Sequence, residues 1–177
     1  GSSRVGDYDG ERIHWRSYEE IDSASARLAN ALTTLGLSEG DRVGTFMWNS
    51  TRHLETYLAV PSMGGVLHTL NCRLSAEHVA YIINHAGDRF LIIDEQLFDS
   101  FLPIQPLIPN VECLIVTGKG HDKAASLNDP RMVSYDDIVA EAAAAFSWPE
   151  PVENSAAGIC YTSGTTGNPK GVAYSQK

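Results

Sequence analysis

Between residues 43 and 117, short aliphatic runs alternate with stretches patterned as helices, and most of those stretches carry their own start and stop signals. Val43, Phe46 and Met47 belong to a run over residues 41–48, DRVGTFMW, that reads as a buried strand. Asn49 or Ser50 can cap a helix over residues 51–63. Pro61 is expected to kink or shorten that helix, because proline lacks an N–H and crowds the preceding turn. Gly64 and Gly65 end it, and residues 66–70 form the next strand. Ser75 caps a further helix with Val79, Ile82 and Ile83 facing inward and Gly87 as its stop. Residues 90–94 and 114–117 are strands of continuous apolar type.

Strands separated by single helices predict βαβ units around a parallel sheet, whose strands are covered on both faces and so read as unbroken apolar runs. The expected fold class is therefore α/β. Upstream, residues 12–15 read as a short strand. Ser17 and Glu20 have the spacing of a capping box, and Ile21, Ala24, Leu28, Leu32 and Leu35 share one helix face before Gly36 stops it. Downstream, residues 118–130 are polar and rich in turn formers and read as a surface loop. Ser134 with Asp137 can cap one more helix running to Ala145. Residues 148–155 form a connector, and residues 157–161 form a last strand.

The chain has 177 residues, enough for one domain or a large piece of one, and its 43% hydrophobic content supports a real core. The formal net charge of -9 argues against nucleic acid as the main partner but not against a small phosphate ligand, which needs only a local site. No apolar run approaches the length of a membrane span. Cys72, Cys113 and Cys160 are widely spaced and without metal-ligand spacing; they read as buried free thiols and imply a reducing, cytoplasmic setting. Gly1, Ser2 and Ser3 read as a tag remnant. None of His14, His53, His68, His78, His85 or His121 forms a metal pair, and all read as structural or surface groups. Trp48 and Asn49 stand at a strand end, where they either line a ligand crevice or belong to the core.

The last predicted strand leads into Thr162, Ser163, Gly164, Thr165, Thr166, Gly167, Asn168, Pro169, Lys170 and Gly171. The glycines let the backbone take positive φ and let a ligand approach it closely. Successive N–H groups in such a turn form an anion-binding nest, and the hydroxyls of Thr162, Ser163, Thr165 and Thr166 add rotatable donors. Lys170 brings a compact positive charge, and Pro169 stiffens the exit. The set suits a polyphosphate. It is not a Walker loop, because the glycine spacing differs and Lys170 is followed by glycine rather than Ser or Thr. Read without its lysine, the same stretch would be a plain Gly/Ser/Thr turn between two strands.

The motif YTSGTTGNPKGV, residues 161–172, resembles the phosphate loop of the adenylate-forming superfamily, which includes acyl-CoA synthetases, luciferases and peptide-synthetase adenylation domains. Residues 40–94, beginning GDRVGTFMWNS and ending DRFLIID, resemble the N-terminal region of AMP-forming fatty acyl-CoA synthetases. The resemblance covers most of the chain and is weakest over residues 118–130. It implies a mostly parallel sheet flanked by helices, part of the large N-terminal domain of such an enzyme. Residues 1–177 would be a partial AMP-binding domain ending just after the phosphate loop, with the C-terminal domain absent and the fragment inactive alone.

The activity implied is conversion of a medium- or long-chain fatty acid with MgATP to acyl-AMP, followed by transfer to CoA. Thr162, Ser163, Gly164, Thr165, Thr166, Gly167 and Lys170 would hold the ATP phosphates, with Lys170 stabilising charge on the leaving group. By the same resemblance Arg73 would approach the CoA phosphates, against a plainer reading as a solvated loop arginine. ATP, Mg²⁺ and CoA are the implied cofactors and substrates, with no dedicated metal ligands assigned, and a homo-oligomer is left open. Many members of that superfamily have Ser-His-Arg where this chain has Ser175, Gln176 and Lys177, and Gln176 can neither be charged nor act as a base. The alternatives are another adenylating enzyme (an aryl-CoA ligase or peptide-synthetase adenylation domain), a non-catalytic nucleotide-binding module, and a structural α/β scaffold.

Overall fold

Ser17 sets the first firm boundary. Its hydroxyl accepts from the Glu20 N–H while the Glu20 carboxylate accepts from the Ser17 N–H at 2.7 Å, so the two satisfy donors that the helix start leaves free. This computed structural model describes residues 3–8, 11–162 and 169–177. Strand β1, Arg4–Tyr8, pairs antiparallel with β2, Ile13–Ser17, in a small ribbon separate from the main sheet. Only the second of these strands is anticipated from the sequence. Helix α1, Tyr18–Thr34, follows and buries Ile21, Ala24, Leu28 and Leu32; Gly36 then takes φ +92° at the turn.

The predicted alternation follows as β3 (Arg42–Phe46), α2 (Thr51–Ser62), β4 (Val66–Thr69), α3 (Ala76–Ala86) and β5 (Phe90–Ile93). Ser50 rather than Asn49 caps α2, accepting from the His53 N–H. Pro61 falls one residue before the end of α2, so it shortens the helix where its missing N–H matters least. Ser75 caps α3, and Gly87, at φ +70°, ends it as expected. Residues 95–112, for which no element is predicted, hold a short helix α4, Phe98–Phe101, whose two phenylalanines are buried.

Then come β6 (Cys113–Val116), α5 (Gly120–Ala125), β7 (Met132–Ser134), α6 (Tyr135–Glu141), β8 (Ala156–Thr162) and β9 (Lys170–Ser175). Residues 118–130 are thus not simply a loop. The segment is drawn in by Lys119 N–H on the Glu95 carboxylate, by Gly118 N–H on Asp136, and by burial of Ala124. His121 lies on this helix. Helix α6 stops at Glu141 instead of Ala145, because α1 captures the following carbonyls: Arg27 bonds that of Ala142, and the Asn30 amide bonds those of Ala143 and Ala145 at 2.9 Å each.

Among the described residues the main sheet has seven strands in the order β7-β6-β5-β3-β4-β8-β9, parallel except for the β8–β9 pair. One face packs on α1, α2 and α6 through Leu28, Leu32, Val60, Val43, Ile92 and Tyr135. The other packs on α3 and α4 through Val79, Ile83, Phe98, Phe101, Phe46 and Leu91. Cys113 is buried and its thiol pKa is pushed up to about 11 by burial, but Cys72 is half-buried and Cys160 is exposed. The uniform reading of buried thiols therefore fails at β8. There the Cys160 side chain has Thr69 as its neighbour, at 3.6 Å.

One buried acid ties α2 to its neighbours. Glu55 is 2% exposed, pairs with Arg16 and accepts from the Tyr135 hydroxyl at 2.9 Å. Burial still pushes its carboxyl above the ordinary range, with Arg16, Tyr135 and Arg52 only partly offsetting it. Folding therefore favours the protonated form, a contribution complete below the ordinary value of 4.5 and lost as pH rises through the raised one. Glu55→Gln is neutral throughout. Its urea midpoint should gain on the parent's as pH goes from about 4 to about 7, and a difference that stays constant over that range would count against the assignment.

Candidate functional site

Among the described strands, neighbouring connections diverge at two places in this sheet, between β5 and β3 and between β4 and β8. At the second, the chain turns from the end of β4 toward α3 and on to β5, beyond β3, whereas from the end of β8 it turns the other way, to β9. Ligands of open parallel sheets bind where neighbouring connections diverge in this manner, outside the carboxyl ends of the strands. A cavity of about 620 Å³ lies at this second place, walled by Leu70, Leu74, Ile82 and Tyr161 and rimmed by Thr162 and Pro169.

Thr162 ends β8 and Lys170 begins β9, and the two are direct cross-strand partners. The chain between them therefore leaves and re-enters the sheet at one place. Ser163, Gly164, Thr165, Thr166 and Gly167, which the sequence marks as phosphate contacts, lie outside the described residues. Thr162 and Lys170 are exposed, and Lys170 makes no ion pair among the described residues. A lysine without a carboxylate partner has its N–H donors open to a ligand.

Arg73 is exposed, with its guanidinium unpaired among the described residues. Its backbone N–H donates to the Asn71 side chain at 3.0 Å, which shapes the turn before α3. Asn71 and Leu74 line the cavity; Arg73 does not. Trp48 is 41% exposed, so it is not core, and Asn49 lines a separate shallow crevice beside β1. Among the described residues no group of three His, Cys, Asp or Glu could hold a metal ion. No described helix is long and apolar enough to cross a membrane.

The histidines divide. His53 is lowered by burial; it sits with Nδ1 3.1 Å from the Trp48 carbonyl and Nε2 3.0 Å from the Thr45 hydroxyl, a structural bridge from α2 to β3. His78 lines the cavity, and His68 and His85 reach it through Tyr161. His68, in β4, holds Asp88 at 2.8 Å with both side chains fully buried, and its ring centroid lies 5.2 Å from that of Tyr161. His85, on α3, has Nδ1 2.6 Å from the Tyr161 hydroxyl. Sequence reasoning missed this cluster, although a histidine inside the apolar run VLHTL was the available signal.

The family model described as "AMP-binding enzyme" matches residues 5–177. The chain belongs to the AMP-binding enzyme family. It is 39% identical over 160 residues to a medium-chain-fatty-acid–CoA ligase of Ectopseudomonas oleovorans, covering 90% of this chain and 29% of that protein. It is 43% identical over 167 residues to a 3-methylmercaptopropionyl-CoA ligase of Ruegeria pomeroyi, covering 94% of this chain and 30% of that protein. Among solved structures, the anthranilate CoA ligase AuaEII in complex with anthranoyl-AMP superposes with a TM-score of 0.82 over 92% of this chain and 30% of that one, at 21% identity, a likeness of fold. This AMP-binding segment thus spans about three tenths of the length of the relatives it matches. Those relatives act on acids of different shapes.

Proposed function

We propose that the chain is the nucleotide-gripping N-terminal part of an AMP-forming acid–CoA ligase, and that residues 162–170 hold the β- and γ-phosphates of ATP. The observation that carries this reading is the pairing of Thr162 with Lys170 at the diverging strand ends. In the reaction proposed for the full-length protein, a carboxylate oxygen attacks the α-phosphorus and the bond to the bridging oxygen breaks, releasing pyrophosphate. The CoA thiol then attacks the acyl carbon, AMP leaves, and the thiol proton is released. Negative charge grows on pyrophosphate in the first step. Hydroxyl and N–H donors together with Lys170 stabilise it there more than in bound ATP. Magnesium would arrive with the phosphates and neutralise part of their charge.

For the acid we propose a medium- or long-chain fatty acid, on the strength of the fatty-acid ligase relative and the aliphatic wall of the cavity. The test is acid-dependent ATP–pyrophosphate exchange by the full-length protein, with fatty acids of graded length set beside 3-methylmercaptopropionate and anthranilate. Fatty acids should support the highest kcat/KM. If only the short thioether acid or the aromatic acid supports exchange, the ligase reading stands and the fatty-acid assignment fails. If no acid supports exchange, the ligase reading fails too.

A further inference from the structure

Tyr161 is the last residue of β8 before Thr162, and its side chain is held from three directions. Across the β8–β9 pair its partner is Gly171. The ring covers that glycine so closely that a Cβ at position 171 would stand 3.1 Å from Cζ and 3.2 Å from Cε2. On the α3 side the Tyr161 hydroxyl and His85 Nδ1 share a hydrogen bond of 2.6 Å, with the rings edge-on at 89°, and His85 is itself stacked on Tyr81 at 5.5 Å. Below, the ring meets His68, whose imidazole is fixed by Asp88. An aromatic laid over a cross-strand glycine restores the packing the glycine lacks and pins the register of the pair.

We infer that Tyr161 is a positioning residue that ties both strands flanking residues 163–169, through Gly171 on β9 and His85 on α3, to the rigid body of the sheet. Lys170 adjoins Gly171 and Thr162 adjoins Tyr161, so both described phosphate-facing candidates sit one residue from this tie. The effect of a small misplacement on a step that depends on aligned donors is large. A ring held by side chains from β4 and α3 and seated on the Gly171 backbone of β9 restricts that displacement, while its exposed part forms one wall of the cavity.

The catalytic part of this inference rests on the reading of residues 162–170 as a pyrophosphate grip, and the two fail separately. Tyr161→Phe keeps the ring and removes the hydroxyl. In the full-length protein it should lower ATP–pyrophosphate exchange about tenfold, mostly in kcat, because alignment in the transition state is what is lost. Transfer to CoA from a supplied acyl-adenylate uses no β- or γ-phosphate, and Phe keeps the ring in the cavity wall, so transfer should fall clearly less than exchange does. Combining Tyr161→Phe with His85→Ala should cost no more than the worse single change, since both break one bond. Exchange at the parent rate, equal losses in both half-reactions, or additive losses would each overturn the inference. A second readout needs no activity: amide hydrogen exchange at Thr162, Lys170 and Val172 should quicken about tenfold in Tyr161→Phe while α1 and β3 are unchanged. Unchanged amides there overturn the positioning role, whereas an inactive parent with quickened amides overturns only the ligase reading.

Discussion

Lys170→Ala in the full-length protein should reduce acid-dependent ATP–pyrophosphate exchange by about 10²–10³, the loss that follows removal of one preorganised group from a developing oxyanion. The ammonium group is exposed and makes no ion pair among the described residues, so the folded state gives up little when it is removed. The melting temperature should accordingly stay near the parent's. The loss should fall on kcat more than on KM for ATP, because charge on pyrophosphate is greater in the transition state than in bound ATP. Lys170→Arg restores a charge but replaces a compact ammonium with a wider planar fork, so it should recover part of the rate only. Transfer from a supplied acyl-adenylate should be unaffected, since pyrophosphate has already left. Exchange by Lys170→Ala at the parent rate would remove the lysine from the proposed grip. An equal loss in the transfer step would point to a general defect instead.

How far the sequence already contained this site depends on which kind of residue carried it. Strands β3 to β6 were legible because buried parallel strands must be continuous apolar runs, and helices α1, α2 and α3 were legible because Ser17, Ser50 and Ser75 announce their starts, whereas α4 between β5 and β6 was not. The fold class followed from that alternation alone. Elements shaped by distant partners were not legible. Helix α5 looked like a polar loop because its stabilising contacts, Glu95 and Asp136, come from other parts of the chain. Helix α6 looked longer because nothing local reveals that Arg27 and Asn30 take its next carbonyls. At the candidate site the residues proposed to hold phosphate announce themselves in the sequence by type and order, glycine, hydroxyl and lysine together. Tyr161, His85 and His68 lie far apart in sequence and meet only because β4, α3 and β8 pack together; ordinary spacing rules give no warning of them.

The deepest of these hidden contacts should also have the largest effect on stability. His68 Nδ1 is 2.8 Å from one Asp88 carboxylate oxygen and 2.9 Å from the other, with both side chains at 0% exposure. His68 Nε2 has no hydrogen-bond partner among the described residues, so Asp88 is the imidazole's one polar anchor there. Glycine at position 44 makes room for it: a Cβ there would stand 2.8 Å from an Asp88 oxygen and 2.6 Å from Leu91. Burial pushes the Asp88 carboxyl up, and His68 and Arg42 offset this in part. A buried pair of this kind adds little net stability while intact but is expensive to break from one side. Asp88→Ala strands a buried imidazole with neither nitrogen bonded and should cost about 2–3 kcal/mol in urea unfolding. Asp88→Asn keeps one acceptor oxygen for Nδ1–H, adds no bulk against Gly44, and should cost only about 1 kcal/mol. The contrast between the two substitutions isolates the hydrogen bond from the space it fills. If Ala and Asn cost the same, or Ala costs less than about 1 kcal/mol, water reaches His68 once the carboxylate is gone, and the pair does not hold the sheet under Tyr161.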